Sequence, residues 1–299
     1  MSPVGLFVGI ASLDVIHRVD TIPYSNEKIS SRDQMISSGG CATNAAIAYS
    51  ALGGRARLVA PIGSSVVGVI ISDELHACGV KTYDAALGAQ QEPRIASILV
   101  NASSGDCAII SSKGADISVT MPTAVITASL GRSNVVLWDG YYPTIGLPAL
   151  WAARKRDTPT VLDGDFWKPE IQEALPYIDH AVCSADFYPP GCVNSSDVEK
   201  YLFSAGVKTV VITDGQNPIR WRTATKASGS VPVDQVKIVD TLAAGDIFNG
   251  AFCRAVADGK DIASLPLWIV YASRVATTSV CFFGPRAWIG KPLLVSEKS

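Results

Sequence analysis

The chain has 299 residues, of which 48% are hydrophobic and 17% are charged, with a formal net charge of −2. This composition predicts a globular protein with a large buried core and argues against disorder. The small negative net charge does not provide the positive electrostatic potential that nucleic-acid binding requires. Seven cysteines are scattered singly without a Cys-x-x-Cys pair, which indicates reduced thiols in a cytoplasmic protein and not a disulfide or zinc framework.

The ends of the chain contain no predicted targeting or membrane segment. The N-terminus lacks a basic region followed by an apolar core and a cleavage site, so no signal peptide is expected. The apolar run at residues 263–283 is interrupted by Arg274, and a buried helix is the better interpretation than a membrane span.

The first predicted strand leads to a polar residue. Residues 4–11 form a continuous apolar run, as expected of a strand buried on both faces, and Asp14 follows it. Because ligands of open α/β sheets bind beyond the carboxyl ends of strands, Asp14 is either a binding residue or an ordinary turn aspartate. Residues 15–38 show polar and apolar alternation, which predicts short strands outside the main sheet, as a flap over the strand ends.

A pair of glycines precedes the next predicted element. Gly39 and Gly40 open a predicted helix that runs to about Leu52. Paired glycines allow close backbone approach to a ligand, and Asn44 would project from the first turn. A plain loop-to-helix junction is the alternative.

Strands and helices then alternate with regular spacing. Two short β runs at residues 95–100 and 107–111 flank a Ser/Gly/Asp turn and predict a hairpin. Later strands are predicted near residues 135–138, 160–162, 181–183 and 208–213. This βαβ rhythm predicts an α/β fold with a mainly parallel sheet and right-handed crossovers.

The stretch at residues 240–246, Asp-Thr-Leu-Ala-Ala-Gly-Asp, leads directly into an apolar run of helical character. Unpaired backbone N–H groups at a helix start, together with the helix dipole, form an anion-binding site. Asp246 lies at the same turn, and the positive helix end is expected to keep it ionised near neutral pH. Phosphoryl transfer from a nucleotide to an alcohol requires a carboxylate beside an anion-binding site: the site holds the transferring phosphoryl group, and the carboxylate accepts the hydroxyl proton. Taken alone, the stretch is also compatible with a helix entry that is merely rich in Ala and Gly.

The order of these motifs resembles the ribokinase family of sugar kinases, also called the PfkB family. Three matches in family order carry the resemblance: residues 240–246, similar to Asp-Thr-x-Gly-Ala-Gly-Asp; Gly39-Gly40 with Asn44 four residues on; and Leu75 with Gly79-Val80.

The resemblance implies a ribokinase-like three-layer fold, with a mainly parallel central sheet flanked by helices and a small β-sheet lid. It implies a single domain over residues 1–299, with lid segments near 15–38 and 92–112. The implied activity is that of an ATP-dependent carbohydrate kinase that phosphorylates the primary hydroxyl of a small sugar, with Mg²⁺ arriving on the nucleotide phosphates.

The resemblance also implies roles for individual residues. These are Asp246 as general base; the backbone N–H groups of Ala243, Ala244, Gly245 and Asp246 as an anion hole; Asp14, Gly39, Gly40 and Asn44 as sugar contacts; Thr213 and Gly215 beside ATP; and Asp240 near a bound monovalent cation such as K⁺.

Several positions depart from the family pattern. Ala243 replaces a glycine. A left-handed backbone at this position would cost roughly 1 kcal/mol or more, whereas a right-handed backbone would avoid that cost, and the alanine is expected to be tolerated. Ser184 stands where many members begin an Asn-x-x-Glu motif that helps to hold magnesium, so that role does not carry over. Cys107 stands where an arginine near the sugar is common. Arg94 either supplies that charge or is a solvated loop residue.

Two further predictions concern carboxylates and the acceptor. Asp139, Asp163 and Asp165 end strands on the ligand side, where they are sugar or ion contacts or, more simply, turn residues. A ketose or keto-sugar acid is favoured because the variant motif resembles that of ketohexokinase-like members. A nucleoside kinase of the same family and a catalytically silent sugar- or nucleotide-sensing homologue remain alternatives. Exposed lid strands predict a homodimer formed through the lid, with no nucleic-acid or membrane partner.

Overall fold

The computed structural model describes residues 2–112, 119, 121–259 and 262–294. The strands of this part of the chain are β1 (Val4–Val8), β2 (Ser12–Val19), β3 (Asp33–Gly39), β4 (Arg55–Ala60), β5 (Lys81–Asp84), β6 (Arg94–Asn101), β7 (Cys107–Ser111), β8 (Val135–Trp138), β9 (Thr160–Gly164), β10 (His180–Ser184), β11 (Thr209–Asp214), β12 (Asn217–Thr223) and β13 (Ser228–Val231). Its α-helices are α1 (Cys41–Ala51), α2 (Val66–Ala77), α3 (Thr123–Leu130), α4 (Pro143–Arg154), α5 (Ile171–Ala174), α6 (Ser195–Ser204), α7 (Ala244–Ala257) and α8 (Leu265–Ser279).

Nine strands form one central sheet in the order β13-β12-β11-β10-β9-β8-β1-β4-β5. The seven strands from β11 to β5 run parallel, while β12 and β13 are added as an antiparallel edge. Helical crossovers are the usual connection between parallel strands, and they cover both faces of such a sheet. The predicted α/β fold with a mainly parallel sheet is therefore confirmed.

Two hydrophobic cores lie on opposite faces of the central sheet. One core contains the apolar residues of α1, α7 and α8, and the other contains those of α3, α4 and α6. Helices α1 and α7 approach closely because Gly250 has no side chain: a Cβ there would lie 2.4 Å from the carbonyl oxygen of Ala45. This close packing brings the first turns of α1 and α7 to the same edge of the sheet.

The apolar run at residues 4–11 does not form a single strand, contrary to the prediction. β1 ends at Val8, and β2 begins at Ser12 in a different sheet. Gly9 makes this break possible: its φ is 154°, and a Cβ at this position would lie 2.0 Å from Asp139 Oδ1. Asp14 consequently lies within β2 and not in a turn after β1.

The second sheet has four strands in the order β3-β2-β6-β7. Its inner face carries a small core of Ile16, Ala96, Ile98 and Val100. Leu242, from the loop before α7, packs against this core. The separate small sheet predicted from the sequence is thus present, and it contacts the segment of residues 240–246 that leads into α7.

The predicted apolar run near the C-terminus contains α8, which packs against α7 in the core. Among the helices described, none has the length and apolar character needed to span a membrane.

Candidate active site

The first turns of α1 and α7 meet through two polar side chains. Asn44 Nδ2 donates to Asp246 Oδ2 across 2.8 Å, although the two residues are 202 positions apart. The sequence predicted both as site residues, on separate motifs. The structure brings them together at one edge of the central sheet.

The start of α7 depends on an unusual alanine conformation. Ala243 lies in the left-handed region, with φ 60° and ψ 13°. Of the two backbone conformations considered for Ala243, the structure has the left-handed one. The left-handed residue turns the chain sharply into the helix at a cost of about 1 kcal/mol, which a glycine would avoid.

The backbone donors of this turn are only partly used. The Ala244 N–H donates to the Thr241 carbonyl at 3.2 Å. Within the part of the chain that the structure describes, the N–H groups of Gly245 and Asp246 have no acceptor, as expected of the first turn of a helix. These donors, together with the helix dipole, favour an anion in front of α7.

Burial dominates the electrostatics of Asp246. Its pKa is raised from 3.8 to about 7, first because the carboxylate is removed from water. The hydrogen bond from Asn44 lowers the pKa, the Asp165 charge raises it, Cys41 lowers it by hydrogen bonding and Asp139 raises it. The prediction that the helix end keeps Asp246 fully ionised at neutral pH is therefore corrected. Burial outweighs the dipole, so both protonation states are populated near pH 7.

A cavity of about 500 Å³ opens beside this turn. It is lined by Thr213 near the end of β11, by Gly215 just after that strand, and by Ala244 and Gly245 at the start of α7. All four were predicted to contact ATP or its transferring phosphoryl group. The cavity is large enough for part of a nucleotide and places these residues around one space.

The predicted sugar contacts Asp14, Gly39 and Gly40 lie in β2, at the end of β3 and at the start of α1. Asp14 is buried, and its Oδ1 accepts from Ser12 Oγ at 2.8 Å. Its carboxylate packs directly on Gly39, where a Cβ would lie 1.9 Å from Asp14 Oδ2. Burial raises the pKa of Asp14 to about 6, while the Ser12 hydrogen bond and the Arg286 charge lower it. Gly40, with φ 97°, ends this loop as the N-cap of α1.

An ion pair that sequence reasoning missed supports the end of β3. Arg286 Nη2 donates to the Ser38 carbonyl at 2.7 Å, and its Nε lies 3.3 Å from Glu74 Oε1. Glu74 in turn accepts from Ser37 Oγ at 2.9 Å and from the Ser38 N–H. Neither residue belongs to a motif with a recognisable spacing, because they are 212 positions apart.

Two cations flank Tyr141 at the same edge of the sheet. The Arg94 guanidinium carbon lies 5.3 Å from the centre of the Tyr141 ring, and Lys168 Nζ lies 4.2 Å from it. Arg94 is the first residue of β6 and is half-buried, so the alternative of a solvated loop arginine is excluded. Lys168 was not singled out from the sequence.

Asp139 ties three segments together. Its carboxylate accepts from the backbone N–H groups of Ile10 at 2.8 Å, Ala42 at 3.1 Å and Tyr141 at 3.0 Å. It therefore holds the end of β1 and the start of α1 against the end of β8. Asp163 lies inside β9 and is buried, so its interpretation as a turn residue is wrong.

Residues 184–187 stand where many family members have the magnesium-binding Asn-x-x-Glu motif, and here they depart from the family pattern. Ser184 Oγ donates to the Asp165 carbonyl at 2.6 Å, and Phe187 fills the core where the motif would place a glutamate. Asp165 and Asp186 supply carboxylates instead. Burial raises the pKa of Asp165, the Lys168 charge lowers it, and the Asp186 charge raises it. Carboxylate oxygens of this kind fit a magnesium ion carried by nucleotide phosphates.

Asp240 is buried and its carboxylate is already bonded. Oδ1 accepts from the Leu242 N–H at 2.9 Å, and Oδ2 accepts from the Gly284 N–H at 2.8 Å. A cation beside Asp240 would share these oxygens with the backbone.

Comparison with known proteins gives consistent similarities. The sequence profile of the pfkB family of carbohydrate kinases matches residues 6–287. Ribokinase from Bacillus subtilis strain 168 is 29% identical over 286 residues, which cover 93% of this chain and 92% of that protein. The structure of a candidate ribokinase from Agrobacterium tumefaciens has a TM-score of 0.82 at 26% identity, covering 97% of this chain and 94% of the other. Arabidopsis thaliana ribokinase, complexed with ribose and ATP, shares the fold with a TM-score of 0.76 at 21% identity over 95% and 94% of the two chains.

Proposed function

The chain belongs to the pfkB family of carbohydrate kinases, and we propose that it transfers the γ-phosphoryl group of ATP to a primary hydroxyl of a small sugar, with Asp246 as general base. The observation that carries this proposal is the position of Asp246. Its carboxylate is held by Asn44 at the start of α7, where Gly245, with its unpaired N–H group, borders a cavity large enough for part of a nucleotide.

In this mechanism the acceptor hydroxyl lies between Asn44 and the start of α7, in line with the γ-phosphorus. Positioning supplies most of the acceleration, because phosphoryl transfer needs little activation of the attacking oxygen. Asp246 accepts the hydroxyl proton as the new P–O bond forms. The N–H groups of Gly245 and Asp246 and the dipole of α7 stabilise the charge on the transferring phosphoryl oxygens.

The proposal also assigns sites to the nucleotide and to the metal ions. ATP occupies the cavity bordered by Thr213 and Gly215. Asp165 and Asp186 would hold Mg²⁺, which neutralises charge on the nucleotide phosphates when it is bound. A K⁺ ion near Asp240 is a further proposal, supported by the burial of that carboxylate.

We favour a ketose or keto-sugar acid as the acceptor. Asp14, Gly39 and Asn44 offer a compact polar surface for sugar hydroxyls, and Arg94 and Lys168 place positive charge at the same edge of the sheet. The names of the similar proteins add ribose to the acceptors to be tested. Closure of the small sheet over the acceptor would exclude water, which competes as a phosphoryl acceptor.

Coupled ADP release against D-ribose, D-fructose, keto-sugar acids and nucleosides tests this proposal. Wild-type protein should release ADP with at least one sugar, and Asp246→Asn should reduce kcat by roughly 10²–10⁴-fold while ATP binding persists. Turnover only with nucleosides would identify a nucleoside kinase. No turnover with any acceptor, despite ATP or sugar binding, would identify a sensing homologue. An Asp246→Asn variant that turns over at the wild-type rate would remove Asp246 from the mechanism.

A further inference from the structure

The ion pair of Glu74 and Arg286 meets β3 at Ser38, the residue before the paired glycines. β3 is an edge strand of the small sheet, and an edge strand presents backbone N–H and C=O groups that no neighbouring strand can bond. At Ser38 the ion pair bonds both groups: Glu74 Oε2 accepts from the N–H, and Arg286 Nη2 donates to the C=O at 2.7 Å. The two side chains therefore take the place of a neighbouring strand where β3 ends.

The two charged residues come from separate and well-anchored parts of the chain. Glu74 lies near the end of α2, and its Oε1 also accepts from Ser37 Oγ at 2.9 Å. Arg286 lies beyond α8, in a segment whose Gly284 N–H donates to Asp240 Oδ2 at 2.8 Å. Because α2 and this segment are each fixed by their own contacts, the ion pair ties the end of β3 to two supports that the sequence separates widely.

The ion pair is largely removed from solvent. The side chains of Arg286 and Glu74 are 16% and 25% exposed, and Arg286 Nε lies 3.3 Å from Glu74 Oε1. Solvent screening, which makes most surface ion pairs weak, is reduced at such a site. All three guanidinium nitrogens of Arg286 donate within the protein, Nε to Glu74, Nη1 to the Pro285 carbonyl and Nη2 to Ser38. Arg286 therefore acts on the site through the backbone of Ser38 and not by contact with a substrate.

The residues after Ser38 need such a support. Gly39 and Gly40 have no Cβ, and glycine has more backbone freedom than any other residue. Their positions are nevertheless tightly defined, since a Cβ on Gly39 would lie 1.9 Å from Asp14 Oδ2 and a Cβ on Gly40 would lie 2.5 Å from the Ile10 carbonyl oxygen. A displacement of Ser38 would therefore be passed to both glycines and would change their contact with Asp14.

We infer that Glu74 and Arg286 are positioning residues for the acceptor: their ion pair fixes the backbone of Ser38 and thereby holds the paired glycines against Asp14. The inference rests on the proposed function, in which Asp14 and these glycines contact the sugar. Among the described residues that line the cavity proposed for ATP, neither member of the ion pair is found. The ion pair should consequently govern affinity for the acceptor and leave affinity for ATP unchanged.

Steady-state kinetics with the sugar that the wild type phosphorylates tests this separation. Arg286→Lys keeps the charge but not the planar fork that bonds Ser38 and Glu74 together, so it should raise KM for the sugar roughly tenfold while KM for ATP stays within about twofold. Glu74→Gln, on a different element, should have the same effect and decides the question if Arg286→Lys does not fold. An unchanged sugar KM in these variants, or an equal rise of both KM values, would overturn the inference.

Arg254→Lys is the matched control for these variants. The Arg254 side chain is 18% exposed and forms an ion pair with Asp258 in the last turn of α7, far along the helix from Asp246. The same chemical change at this position should leave both KM values as they are in the wild type. A purely structural ion pair would behave in this way at residue 286 as well.

Hydrogen exchange of the ligand-free protein gives a readout that does not depend on activity. The amides of residues 39–44 should exchange roughly tenfold faster in Arg286→Lys and Glu74→Gln than in the wild type, because their support is loosened, whereas Arg254→Lys should leave them unchanged. Wild-type exchange rates at residues 39–44 in both variants of the ion pair would contradict the inference. A wild type that phosphorylates no sugar would remove the proposed function, and the exchange contrast would still decide whether the ion pair fixes this segment.

Discussion

Asn44 and Asp246 are joined by a 2.8 Å hydrogen bond from amide Nδ2 to carboxylate Oδ2. This bond links the helix starts on which the two signature motifs of the chain lie. It also makes a side chain of the acceptor surface part of the electrostatics of the proposed base. The two roles proposed for Asn44, sugar binding and control of the Asp246 pKa, can be separated by the pH dependence of kcat.

Replacement of Asn44 by leucine should move the acid limb of kcat to higher pH. The amide donates to the ionised form of Asp246 and so lowers its pKa; without it, the pKa rises further above about 7. A shift of about 1 pH unit is expected, because a hydrogen bond to a charged group contributes roughly 1.5 kcal/mol or more. Steady-state kcat measured at saturating acceptor across the pH range checks this. Cys41→Ser, which retains a donor, is the control and should keep the limb near its wild-type position. A uniform loss of kcat at every pH would contradict the electrostatic role of Asn44.

Ala243→Gly should stabilise the protein. Residue 243 is left-handed, and glycine adopts that conformation without the strain of a Cβ, so the free energy of unfolding should rise by about 1 kcal/mol. Ala244→Gly is the matched control: Ala244 is the first residue of α7, and glycine there should lower the free energy of unfolding by up to about 1 kcal/mol. Urea denaturation of the two variants measures the contrast. Equal effects of the two substitutions would show that the backbone at residue 243 is not strained.

Asp246→Asn should increase stability at alkaline pH while it removes activity. The folded-state pKa of Asp246 lies above its ordinary value of 3.8, at about 7. The folded protein therefore binds a proton more tightly than the unfolded chain, and the contribution of Asp246 to stability falls as pH rises between these two values. Asparagine cannot ionise, so the variant does not lose this stability as pH rises. Because the carboxylate is partly screened by solvent, the gain above neutrality should be about 1–3 kcal/mol, with little difference near pH 4.

Denaturation of the wild type and Asp246→Asn at several pH values checks that window. Asp73→Asn, at an exposed position on α2, is the control and should leave the stability difference near zero throughout. If Asp246→Asn gives the same stability change at acid and alkaline pH, the burial of the Asp246 charge is not its cause.

The elements with strong local signals were predictable from the sequence. Strand β8 has the bounds that its apolar run indicated, and the alternation of strands and helices identified the parallel sheet. The family resemblance also proved correct. Local patterns are sufficient here because buried parallel strands are continuous apolar runs. The start of α7 was also located correctly, because its Ala-Gly-Asp sequence lies next to an apolar helix.

The features that sequence reasoning missed depend on contacts between distant residues. The break at Gly9 occurs where the chain passes so close to the Asp139 carboxylate, 130 residues further on, that a Cβ would not fit. The protonation of Asp246 is decided by burial, which no local motif encodes. Ala243 adopts a left-handed conformation because the loop and α7 are both fixed by packing, whereas its intrinsic preference is right-handed. Asp163 looked like a turn residue because it precedes a glycine, and only the sheet shows it to be internal.

The small sheet carries a row of three apolar residues and one serine on its outer face, which makes the predicted homodimer testable. Ile36 of β3 pairs with Val15 of β2, Val15 with Ser97 of β6, and Ser97 with Ile110 of β7. Ile36 is 61% exposed and Ile110 is 72% exposed. A second copy packed on this row would bury these side chains, and the open edges of β3 and β7 offer further hydrogen bonds.

Ile36→Lys should therefore convert a dimer into a monomer, because two lysines would be brought into an apolar contact across the two-fold axis. Sedimentation velocity at micromolar protein measures the change. Val193→Lys is the matched control: Val193 is also an exposed β-branched residue, at 81%, but it precedes α6 outside the small sheet, and its replacement should leave the dimer intact. A wild-type protein that sediments as a monomer across the concentration range would exclude the dimer. An Ile36→Lys variant that still dimerises would place the interface on another surface.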